Sequence, residues 1–212
     1  CWVRFGCNST GIGMDDKTLQ EAMRFGSRTT KAGVDLGKYG IGLKSASLSQ
    51  AQTVTVLSRQ HGKTLGRRWK TENIKKGWEC ELLDERQCKK LFEADLGPVK
   101  IGQHGTIVVW EHLEHLKAQK DTLDRVLERT VQRVSNELGL KFHRFLARET
   151  GGIGIHIDQQ DVMEETASIA IPVKPLDPFS YPASGSKDYP KILEIDLQNH
   201  QPLKLECHIW PP

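Results

Sequence analysis

Apolar positions recur at helical spacing in three stretches of the chain and alternate or cluster at strand length in several others. Leu19, Ala22, Met23 and Phe25 mark the buried stripe of a helix that Asp15 or Asp16 caps. Ile41, Leu43, Ala46 and Leu48 supply the buried face of a second, shorter helix. A third helical pattern runs over about 121–148, through Leu123, Val126, Leu127, Val131, Val134 and Leu138, and Gly139 is expected to divide it. Strands are expected at 53–58, 64–69, 78–83 and 106–111, then at 153–157, 168–171, 192–197 and 203–209. Residues 1–7 read poorly as a regular apolar strand. This alternation predicts an α+β chain, with a mixed sheet and helices packed on one face in its first part.

The stretches between these elements carry the candidate chemistry. Gly37, Gly40 and Gly42 stand with Tyr39, Leu43, Lys44 and Ser45 in nine residues at a loop-to-helix junction. Glycine lets a backbone approach a ligand closely, and a helix start offers unpaired N–H groups and a positive dipole end to phosphate. The spacing is not that of a Walker A loop. Upstream, Gly11 and Gly13 precede Met14. Residues 26–33 are small and polar and lack apolar periodicity, as a lid over a ligand would. A third glycine junction, Gly105 with Thr106, opens the strand at 106–111.

These three junctions, in this order, resemble the GHKL-type ATP-binding fold shared by histidine kinases, DNA gyrase B, MutL and heat-shock chaperone ATPases. The resemblance is nearest to MORC-like and bacterial stand-alone members. Phe25, Gly26 and Ser27 stand before the lid, and the stretch from Tyr39 to Ser45 follows it. Further likeness runs through 142–146 and 175–179, so it covers nearly the whole chain. The resemblance implies that Gly11, Gly13 and Met14 line the adenine pocket and that Thr106 helps fix the adenine. It implies that Gly37, Gly40, Gly42, Leu43 and Lys44 form the phosphate loop, with Ser45 beginning the helix behind it. ATP with Mg²⁺ is the implied ligand, lid closure (26–38) and homodimerisation the implied response. It divides the chain into an ATP-binding domain at 1–116, lacking its first helix, and a connecting helix with a partial transducer-like α+β domain at 117–212.

Two departures narrow the expectation. Ser9 stands where the resemblance implies an aspartate that accepts the adenine amino proton. Replacing that charged acceptor by a hydroxyl costs about 1.5–3 kcal/mol, or roughly tenfold to a hundredfold in affinity. The implied water-orienting glutamate and magnesium-holding asparagine belong to a helix before the first strand, upstream of Cys1. The chain thus reads as N-terminally truncated or degenerate, and hydrolysis by it alone is not expected. The second reading is an interaction module that kept the fold and lost the nucleotide.

Composition adds bounds. The 212 residues hold 30 Lys and Arg against 27 Asp and Glu, a net charge of +3 that gives no support to nucleic acid as a partner. Hydrophobic residues are 37%, and no apolar run reaches membrane-spanning length, so a cytoplasmic location without membrane contact is the default. Five cysteines without paired C-x-x-C spacing argue against a disulfide framework and a zinc site. Glu111, His112, Glu114 and His115 lack an evident third metal ligand and read as a solvated turn. Arg67, Arg68, Lys70, Lys75 and Lys76 around Trp69 and Trp78 read as exposed strand faces over two core tryptophans rather than a nucleic-acid patch. Cys1 lacks the oxyanion cage a nucleophile would need. His143 and Arg144 are expected to serve structurally at a domain junction, and no motif ties Lys174 to a nucleotide. The client is not legible from such a fold.

Overall fold

A computed structural model describes residues 5–26, 40–93, 101–114, 122–159, 170–181, 184–198 and 200–209. The chain divides into two units, 1–120 with 160–169, and 121–159 with 170–212.

The first unit is built on a five-stranded sheet in the order β1–β5–β2–β3–β4. Its strands are β1 (Phe5–Ser9), β2 (Ala51–Gln60), β3 (Lys63–Lys70), β4 (Glu81–Leu82) and β5 (Gly105–Leu113). Every described pairing in it is antiparallel. Residues 5–7 of the segment that reads poorly as a strand join Asn8 and Ser9 in β1 because β5 supplies the ladder: Cys7 pairs Val108 and Ser9 pairs Thr106. Backbone pairing to an apolar neighbour outweighs the weak local pattern.

Side chains alternate across the sheet. On one face Val54, Val56 and Trp69 pack with Leu19 and Met23 of helix α1 (Asp16–Met23). Leu48 of α2 (Gly42–Leu48) and Ile74 of α3 (Thr71–Gly77) join them. On the other face Leu57, Ile107 and Val109 pack with Leu83 and with Cys88 of α4 (Glu85–Glu93). Burial pushes the Cys88 thiol pKa up. The α+β sandwich expected from the sequence is therefore present, with a fourth helix on the face opposite the other three. The strand expected at 78–83 shrinks to β4, because Thr71–Gly77 winds into α3 and ends at Trp78 in the left-handed conformation (φ 60°).

In the second unit α5 (Leu123–Lys141) runs straight through Gly139, and the break comes at Phe142, before α6 (His143–Leu146). Gly139 is buried, and a Cβ there would lie 2.6 Å from the Lys174 carbonyl oxygen. It is a point of close approach rather than a helix end. Two small antiparallel pairs follow, β6 (His156–Ile157) with β7 (Ile171–Pro172), and β8 (Lys191–Ile195) with β9 (Leu203–Cys207). His143 stays within this unit: its Nδ1 lies 2.7 Å from the Leu140 carbonyl oxygen and its ring meets Phe179 edge-on.

Candidate nucleotide site

The site grows from one end of the sheet. The antiparallel register sets Ser9 of β1 and Ser58 of β2 on either side of Thr106, so all three side chains project from the same face. Ser58 Oγ lies 2.9 Å from Thr106 Oγ1 and 3.2 Å from the Gly105 carbonyl oxygen, and it accepts the Met14 N–H at 2.8 Å. Ser58 has one proton for two acceptors. When it donates to Gly105, Thr106 donates to Ser58 and keeps its lone pairs for a ligand N–H; when it donates to Thr106, the threonine proton is available to a ligand acceptor. That hydroxyl pair can therefore meet either edge group of a purine.

The loop of Gly11, Gly13 and Met14 is pinned over this end. Gly13 sits at φ 73°, and a Cβ on it would drive into the Arg59 carbonyl. Only glycine fits there without strain. Ser9 Oγ accepts the Gly11 N–H at 3.3 Å, and His104 Nδ1 lies 3.1 Å from the Ile12 carbonyl oxygen. Helix α1 follows, capped by Asp15, whose carboxylate accepts the Thr18 N–H at 2.8 Å. Hydrogen bonding to the Thr18 side chain, and then to its backbone N–H, holds the Asp15 pKa below its ordinary value. Ser58 and His104 went unread in the sequence. Ser58 is visible only as a hydroxyl among buried strand residues whose partner emerges from register, and His104 carries no local signal.

The second glycine junction is described from Gly40 onward; Gly37 and Tyr39, with most of the lid at 26–38, lie outside the described residues. Gly40 adopts φ 64° and leads into α2, whose N-cap residue Ile41 makes no side-chain capping bond. Among the described residues, a Cβ on Gly42 would meet nothing within 4 Å. The first amides of α2 have no intrahelical acceptor. Leu43 is exposed beside them.

Lys44 and Ser45 behave otherwise. Ser45 Oγ donates back to the Ile41 carbonyl at 3.0 Å. Lys44 is 4% exposed and its Nζ donates to the Ala22 carbonyl at 2.8 Å. The buried face of α2 is Lys44, Ser47 and Leu48, whereas Ile41, Leu43 and Ala46 are exposed. The apolar stripe assigned from the sequence is thus turned around the helix. Trp110 Nε1 fixes that orientation by donating to Ser47 Oγ at 2.9 Å.

Of the cationic stretch, Lys75 and Lys76 belong to α3, and the three cations on β3 have partners. Arg67 pairs with Asp16 at 2.9 Å, Arg68 Nε donates to Thr55 at 2.9 Å, and Lys70 pairs with Glu81 at 2.7 Å. Trp69 is core, and its Nε1 donates to the Met23 carbonyl at 3.2 Å. Trp78 is not core: it is 61% exposed, with Phe25 packed edge-on at 5.0 Å. Glu111 and His112 belong to β5, which runs to Leu113 and displaces the turn expected there; His115 lies outside the described residues. Among the described residues no group of three His, Cys, Asp or Glu side chains could hold a metal ion, and no helix is long and apolar enough to cross a membrane.

The Gly11–Met14 loop and the Ser58–Thr106 hydroxyl pair meet at one end of this α+β sheet. Residues 4–106 match the family described as histidine kinase-, DNA gyrase B-, and HSP90-like ATPase, and this segment is a GHKL-type ATPase domain. The match takes in Ser9, Gly13, Lys44, Ser58 and Thr106. No curated protein matches the chain.

Proposed function

We propose that the chain binds ATP at the Ser9–Ser58–Thr106 end of the sheet and that bound nucleotide controls closure of the 26–38 lid and pairing of two copies. The observation that carries this reading is the hydroxyl cluster, which joins β1, β2, β5 and the Met14 loop at one point. Adenine would meet Thr106 and the wall at Met14. The phosphates would lie against the amides of Gly40, Gly42 and Leu43. Mg²⁺ would come with the nucleotide and neutralise phosphate charge. The division into an ATP-binding domain at 1–116 and a transducer-like part at 117–212 belongs to the same proposal, as does the nearness to MORC-like members. Hydrolysis is not assigned to any residue described above.

Ser9 gives a direct test. Its Oγ is neutral and already accepts the Gly11 amide. Ser9→Asp should raise ATP affinity about tenfold or more, because a charged acceptor is stronger than a neutral one. Titration calorimetry measures it, and an unchanged or lower affinity counts against adenine at this position. A neutral Ser9 where the resemblance implies an aspartate also supports the second reading, an interaction module without nucleotide. That reading predicts no heat and no thermal shift at millimolar ATP for either protein.

A further inference from the structure

We propose that Lys44 is a positioning residue that ties the end of α1 to the start of α2, rather than a phosphate ligand; its nucleotide consequence rests on the ATP-binding reading above. Helix α1 ends at Met23, and α2 begins at Gly42. Helix α1 has no basic residue in its last turn, and the guanidinium of its C-cap residue Arg24 pairs with Glu21. Lys44, in the first turn of α2, supplies a cation to this helix end, with Nζ 2.8 Å from the Ala22 oxygen. The interaction is favourable twice over, as a charge-assisted hydrogen bond and as a positive charge at the negative end of a helix dipole. Burial at 4% exposure shields it from solvent.

The neighbouring carbonyls are also taken. Trp69 Nε1 donates to Met23, the Arg24 N–H donates to Glu21, and Phe25 packs edge-on against Trp69 at 5.8 Å. The end of α1 is therefore a fixed post, and Lys44 is the bond that joins the post to the phosphate-loop helix. A lysine so placed directs its charge into the protein, whereas its neighbour Leu43 is exposed. It acts on nucleotide by holding α2 in register with α1.

Lys44→Met keeps the length and removes the donor; Lys44→Arg keeps a donor. Cys88→Ala, in the core on the other sheet face, serves as a control for general destabilisation. Hydrogen exchange is read at the amides of residues 22–26 and 42–48, and calorimetry measures ATP and adenosine. The expectation is faster exchange in both segments for Lys44→Met. Affinity for ATP and adenosine should fall by the same factor, about fivefold to tenfold, with partial rescue in Lys44→Arg and none of these changes in Cys88→Ala. Loss of ATP affinity with adenosine affinity retained would identify a phosphate ligand and overturn the proposal. Unaltered exchange in Lys44→Met would overturn it too. If the unmodified protein binds no nucleotide, the function reading fails while the exchange measurement still decides the strut.

Discussion

At the scale of single residues, Gly13 and Lys44 carry the tightest constraints. Gly13 combines a left-handed φ of 73° with a Cβ position already filled by the Arg59 backbone. Gly13→Ala should therefore destabilise the first unit by about 2 kcal/mol or more, the sum of strain and overpacking. Gly11→Ala should cost far less, since its Cβ would make only ordinary contact with Ser9 Oγ at 3.4 Å. Urea denaturation of the two variants measures the difference, and equal losses would show that the Gly13 geometry is not the constraint. The importance of Gly13 was readable in the sequence because glycine spacing survives any detail of packing. The orientation of Lys44 was not. A lysine next to a glycine loop reads as a phosphate contact, and only the rotation of α2, set by Trp110 and Ser47, shows which way it points.

At the scale of elements, local pattern succeeded where the segment was long and failed where a neighbour decided the outcome. β2, β3 and β5 lie where alternation and β-branched residues placed them. β1 was obscured because its partner, not its own sequence, makes it a strand. α5 was expected to stop at Gly139, since glycine in a helix costs about 1 kcal/mol relative to alanine. It continues because the glycine lets the Lys174–Leu176 backbone approach, with the Leu176 N–H donating to the Gly139 carbonyl at 3.1 Å. The two effects oppose each other in Gly139→Ala. Helix propensity favours alanine by about 1 kcal/mol, whereas overpacking against a carbonyl 2.6 Å away opposes it at about 1–3 kcal/mol. Net destabilisation is expected, and a thermal melt that rises instead would show that the close approach relaxes without cost.

At the scale of the molecule, the α+β character and the GHKL-type ATPase domain were legible because three glycine junctions in order constrain the chain far more than one. The hydroxyl cluster was only half legible. Thr106 follows a glycine and announces itself, but Ser58 meets it through a strand register that no linear pattern contains. The family match over 4–106 encloses the described site from β1 to Thr106, so the central claim is nucleotide binding by this module. Titration calorimetry of the whole chain with ATP and Mg²⁺, beside Gly40→Val, tests it most directly. Gly40 stands at φ 64°, where a β-branched residue is strained. The account predicts saturable heat in the unmodified protein and its loss in Gly40→Val. No heat at millimolar ATP, or unchanged binding in the variant, would contradict it.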